Sequence, residues 1–268
     1  LQKLISLSER LERFVEQAEY LQRLEELPDA ANGLPESCRF KRACLLIEKL
    51  RRPKEGLQIL AAILATQPGH AAARSFLTRL SIVDVPANIA RHELLFDVLL
   101  RTQSWSAAAH CLSTMADLQR KLGDDDSVAT SLQALAAIQK EHLQAADLAL
   151  VTLTRCLRIK PVDGNLHQQL EVLAAETDGW DALAEGMESS VDDLVAADAI
   201  DSAIALLRRL AALQHTRLDD VASACRSASR AGELAPDRVD LLEELEALHV
   251  SAGDDDGLER VLRRQLVA

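Results

Sequence analysis

A chain of 268 residues that is 48% hydrophobic but only 3% aromatic, with 10 Gly and 7 Pro, has too few strand-forming residues for a sheet protein and ample length for a large core. Its net charge of −12 is unevenly placed: residues 1 to 60 carry 11 basic and 10 acidic side chains, and the other 19 basic residues stand against 32 acidic ones. A field of that sign over residues 61 to 268 disfavours nucleic-acid backbones and anionic membrane surfaces, and makes a basic partner the easier one to imagine.

Cys38, Cys44, Cys111, Cys156 and Cys225 form no Cys-x-x-Cys pair and are odd in number, so they do not read as a disulfide framework. Free thiols on helices that read as buried suit a reducing compartment, and a cytoplasmic location is expected. No stretch approaches the roughly 18 apolar residues of a membrane span. The chain begins at Leu1 and stops at Ala268 with the helical pattern still in phase, which reads as a piece of a longer polypeptide.

Taken in chain order, Leu4, Leu7, Leu11, Phe14, Ala18 and Leu21 alternate steps of three and four among Glu and Arg. The spacing predicts one long helix over residues 1–27, serving as a cap or as a coiled coil that makes a homodimer. Pro28 to Pro35 then read as a linker, setting residues 1–35 apart from 36–268. Beyond it, breakers at Pro53, Pro68-Gly69, Pro86, Gly123 to Asp126, Pro161 to Gly164, Asp178-Gly179, Pro236 and Gly253 to Gly257 separate amphipathic segments. One stripe runs Trp180, Leu183, Met187, Val191, Leu194. The pattern gives about 14 helices of hairpin length in the whole chain.

Residues 135–185 and 210–260 align without a gap at an offset of 75. Leu135-Ala-Ala-Ile138 matches Leu210-Ala-Ala-Leu213, and in the same register Ala149 meets Ala224, Pro161 meets Pro236, and Leu170 meets Leu245. One step back, Leu60-Ala-Ala-Ile63, Pro86, His92 and Trp105 meet Leu135-Ala-Ala-Ile138, Pro161, His167 and Trp180. Each copy holds four helices, best read as two hairpins that bury their apolar faces only against neighbours.

Small and bulky residues also recur at fixed spacing before a proline: Ala224, Ala228, Ala231 and Pro236; Ala149, Leu153, Cys156 and Pro161; Gly56, Leu60, Ile63 and Pro68. Small side chains let helices approach closely, and Pro closes the second helix. These hairpins resemble tetratricopeptide repeats, a resemblance covering about residues 36–268, although the Trp and Tyr of that family's first helix are absent. It implies an all-α, right-handed superhelical solenoid of antiparallel helix hairpins. The proline spacing puts Leu60 to Ile63 on a second helix, whereas the 75-residue step puts it on a first; both registers stay open for residues 54–86.

The chemistry-bearing patterns are sparse. His92-Glu93 lacks a second His four residues on, no Cys or His pair has zinc spacing, and the glycines form no phosphate loop. Gly123-Asp-Asp-Asp126 and Gly253-Asp-Asp-Asp256 open helices, where Asp caps free N–H groups, and they lack the alternating ligands of a calcium loop. Trp105 and Trp180 each head an apolar stripe and read as core. No catalytic residues, metal or cofactor are expected.

The resemblance implies a non-enzymatic scaffold or adaptor that binds a peptide, helix or protein partner on a concave surface lined by first helices. Transferring the family's inward positions to the copies closed by Pro68 and Pro236 selects Lys41, Glu48, Lys49, Arg209 and Arg217. The alternative is a regulatory or oligomerising region of a larger enzyme or signalling protein.

Overall fold

The computed structural model describes residues 1–26 and 34–266. Among them it contains 15 α-helices and no strand, and the chain divides into two compact units, Leu1–Asp124 and Asp125–Ala268. The linker expected at residues 28–35 lies largely outside the described residues, as does Ala268.

The first unit holds α1 (Gln2–Arg10), α2 (Phe14–Glu25), α3 (Leu34–Glu48), α4 (Pro53–Thr66), α5 (Ala71–Arg79), α6 (Val85–Arg101) and α7 (Trp105–Leu122). Within it α1 packs on α2, α2 on α3, α3 on α4, and α6 on α4, α5 and α7. Pro53 sits in the first turn of α4, where its missing N–H costs nothing. Gly56 then lets α4 close on α3: a Cβ there would lie 2.8 Å from the Ala43 carbonyl oxygen and would collide with Ile47. The spacing that ends at Pro68 therefore marks a true close approach of two helices.

The single long helix expected over residues 1–27 is corrected to two helices. Glu12 takes a left-handed φ of 53°, the chain turns at Leu11 to Arg13, and α2 folds back on α1. Leu1, Leu4, Leu7, Leu11 and Val15 are left exposed, while Leu21 is buried.

The second unit holds α8 (Asp125–Glu141), α9 (Ala146–Thr154), α10 (Gly164–Thr177), α11 (Trp180–Ala196), α12 (Ile200–Thr216), α13 (Val221–Leu234), α14 (Val239–Ala252) and α15 (Asp255–Gln265). Each helix packs on the next, and α9 also reaches α11. These are helix hairpins in series, each burying its apolar face against its neighbours. Ala224 and Ala228 on α13 meet Ala211 on α12 and Leu242, Leu245 and Val261 on α14 and α15 in one apolar cluster, because a methyl side chain keeps adjoining helices close.

The 75-residue step governs helix order. The sets α4–α7, α8–α11 and α12–α15 follow one another at that interval, and Leu60, Leu135 and Leu210 are buried at the same phase. The turns repeat as well: Gln103, Asp178 and Gly253 are all left-handed, as are Gly123 with Asp198 and Gln144 with Asp219. So does a polar contact inside the second unit. Thr152 Oγ1 donates to Gln139 Oε1 at 2.8 Å, and Ser227 Oγ donates to Gln214 Oε1 at 2.8 Å.

Candidate functional site

Four helices of the second unit, α8, α10, α12 and α14, are the first helices of its hairpins in the 75-residue order, and a row of three hollows lies along them. The hollow on α8, α9 and α10 is about 710 Å³ and is walled by Gln133, Asn165, Gln168 and Gln169, with Leu153 on its floor. The next lies against α10, α11 and α12, is about 270 Å³, and gathers Glu171, Trp180, Met187, Arg209 and Arg217. The third lies against α12, α13 and α14, is about 500 Å³, and is lined by Ala211, Ala228, Ala231, Leu241 and Leu248. Arg209, Ala212 and Thr216 wall both the second and the third.

The first and third hollows are the same place in successive copies. Gln133, Ala136, Leu153, Gln169 and Leu173 correspond to Arg208, Ala211, Ala228, Glu244 and Leu248. Two exchanges change what that place can hold. On the floor, Leu153 becomes Ala228 and Cys156 becomes Ala231, which leaves small apolar side chains beneath a hollow of about 500 Å³, smaller than the 710 Å³ of its counterpart. At the rim, two glutamines become an ion pair, Arg208 Nε donating to Glu244 Oε2 at 2.9 Å.

The middle hollow is polar and cationic. The Arg217 guanidinium, at the end of α12, stands 5.0 Å from the centre of the Trp180 ring, a cation–π contact that fixes both side chains. Trp180 is only half-buried because it is the first residue of α11; it forms a wall of the hollow rather than the core position expected of it. Behind it His167 is buried, its Nε2 2.7 Å from the Pro161 carbonyl oxygen. Burial pushes the imidazole below its usual range, and Arg209 nearby pushes the same way. A neutral His167 leaves two guanidiniums and the Glu171 carboxylate, one net positive charge. Arg209 and Arg217 make no ion pair among the described residues.

No family model matches the sequence, and no curated protein does. Among solved structures the chain is similar to the apo form of RapI, at 10% identity over 98% of this chain and 93% of that one, with a TM-score of 0.31. It is also similar to a thermophilic TPR protein of Thermus thermophilus, at 17% identity over 80% and 99%, TM-score 0.27. The TPR domain of P58(IPK) matches at 13% identity over 98% and 97%, TM-score 0.24. The fold and the hollows described above rest on this chain's own repeat and packing.

Of the five residues expected to line a groove, Arg209 and Arg217 come together in the middle hollow. Lys41, Glu48 and Lys49 are exposed on α3 and at its end, in the other unit, and the Lys49 ammonium stands 5.5 Å from the centre of the Phe14 ring, tied to α2. The acidic run at Gly253 behaves as a cap: Asp254 accepts from the Gly257 backbone N–H at 3.0 Å, which holds its carboxyl below the usual range. No group of three or more His, Cys, Asp or Glu suited to a metal ion occurs among the described residues. No described helix is long and apolar enough to cross a membrane. Glu171 was not singled out by the sequence, and Trp180, Ala228 and Ala231 were read there as core and helix-packing positions, although setting Leu153 and Cys156 against Ala228 and Ala231 at the 75-residue offset exposes the change.

Proposed function

We propose that this chain is a non-enzymatic protein-interaction scaffold whose partner lies along the row of hollows on α8, α10, α12 and α14. The observation that supports the reading is the juxtaposition, along α12, of two guanidiniums without an ion pair, Arg209 and Arg217, with the Trp180 ring of α11 on one side and the apolar floor of α13 on the other. A pre-ordered row of helices binds an incoming chain without first paying to order itself. Arg209 and Arg217 are the partner-binding residues; α3, with Lys41, Glu48 and the adjoining Lys49, is left out because in the 75-residue order it corresponds to α7 and α11, which are second helices.

The test is recovery of bound protein from the source cell with the wild-type chain and with Arg209→Glu/Arg217→Glu. A partner retained by the first and lost by the second supports the reading; one retained equally by both removes these residues from the site. A second reading is supported by the exposed Leu1, Leu4, Leu7, Leu11 and Val15: the homodimer through residues 1–27. Light scattering at high concentration tests it, and a monomeric mass there contradicts it.

A further inference from the structure

The row has a chemistry specific enough to describe its occupant. Resting on the scaffold reading above, we infer that the partner segment is an extended peptide carrying one carboxylate side chain and, about three residues away, one bulky aliphatic or aromatic side chain. The carboxylate belongs in the middle hollow and the apolar side chain in the pocket over Ala228 and Ala231.

The charge assignment follows from the local groups rather than from the net charge of −12, which is spread over other faces. Two guanidiniums against one Glu171 leave room for a single negative charge, so one carboxylate balances the hollow and a doubly charged phosphate overfills it. Guanidinium–carboxylate contacts at a partly dried surface are the stronger class of hydrogen bond. Arg208 offers no comparable site, being held by Glu244 and Asp240.

The apolar assignment follows from the floor. Ala228 and Ala231 stand where the preceding copy has Leu153 and Cys156, and the 500 Å³ hollow above them is lined chiefly by Ala and Leu. A bulky side chain placed there lies against Ala211, Leu241 and Leu248, over the position that holds Leu153 in the preceding copy. Burying such a side chain is worth roughly 1.5–3 kcal/mol in area terms.

The spacing follows from helix dimensions. Neighbouring hollows are separated by one helix, about 10 Å across with its side chains, and an extended chain covers that distance in about three residues. The extended form is favoured by the first hollow, where Gln133, Asn165, Gln168 and Gln169, with charged groups such as Lys160 and Asp163 beside them, present donors and acceptors together. Their side-chain amides match the unpaired N–H and C=O groups of an extended backbone.

The test is selection of a displayed random dodecapeptide library on the intact chain, followed by affinity measurement of enriched peptides on two variants. Arg209→Glu/Arg217→Glu removes the cationic hollow at exposed positions. Ala228→Leu fills the apolar pocket with the residue the preceding copy already tolerates, and circular dichroism confirms that each variant is folded. Expected is a consensus of Asp or Glu and a large apolar residue about three positions apart, with affinity falling on the order of tenfold or more in each variant.

Peptides that compete with one another for the row but carry no acidic residue, or bind both variants unchanged, overturn this inference and leave the scaffold reading standing. A selection that yields no binder to the row overturns both. A synthetic peptide with phosphoserine in place of the acidic residue, binding more tightly than the Asp or Glu form, contradicts the single-carboxylate assignment.

Discussion

The Arg217 guanidinium lies over the Trp180 ring, 5.0 Å from its centre, and so joins the end of α12 to the beginning of α11 at the wall of a cationic hollow. Both side chains are partly open to solvent, so the contact contributes little to folding. Exposed cation–π pairs are worth about 0.5–1 kcal/mol. Arg217→Ala and Arg209→Glu are expected to lower unfolding free energy by about 1 kcal/mol or less, measured by urea denaturation. A larger loss would mean that these residues serve the fold rather than a partner.

The left-handed turns make a second expectation. Gln103 and Asp178 hold the conformation that Gly253 holds two copies and one copy later, and a side chain in that region costs about 1 kcal/mol that glycine avoids. Gln103→Gly is expected to stabilise the first unit by about 0.5–1 kcal/mol, the lower figure reflecting the looser unfolded chain. Denaturant unfolding of the variant checks it, and a destabilised variant contradicts it.

Two buried histidines set a pH dependence. Burial lowers the affinity of both His92 and His167 for a proton, with Arg91 and Arg209 respectively acting in the same sense. The unfolded chain then binds more protons than the folded one below about pH 6.5, the usual histidine value. Stability is therefore fully present above that pH and falls as pH drops through the lowered folded values. Unfolding free energies measured between pH 7.5 and 5 are expected to decline, and less steeply in His167→Gln; a rise on acidification contradicts the assignment.

The chain's repeat was legible because a 75-residue double hairpin leaves a gapless trace: the Leu that opens Leu-Ala-Ala at 60, 135 and 210 is buried in each copy. The break at Glu12 was not, since Leu11-Glu12-Arg13 contains neither Gly nor Pro and the heptad spacing continues through it. The same holds for Gln103, Gln144 and Asp219, whose left-handed turns carry no glycine. In these turns the packing of successive hairpins, rather than local propensity, imposes the conformation.

The site was half legible. Arg209 and Arg217 follow from the position they occupy in a hairpin. The net charge pointed to a basic partner, whereas the hollow is cationic, because a count over 268 residues averages faces that never meet the same ligand. The apolar pocket has Ala228 and Ala231 on its floor, and small residues in such helices read first as helix-packing positions.

The most direct measurement of the central claim is site-specific photocrosslinking of a bound partner or selected peptide. A photoreactive amino acid is placed at Ala212, exposed between the cationic and apolar hollows, and for comparison at Val151, exposed on α9. The account predicts a crosslink from position 212, lost on Arg209→Glu/Arg217→Glu, and none from 151. Crosslinking from 151 with none from 212 would place the partner on the second helices and contradict it.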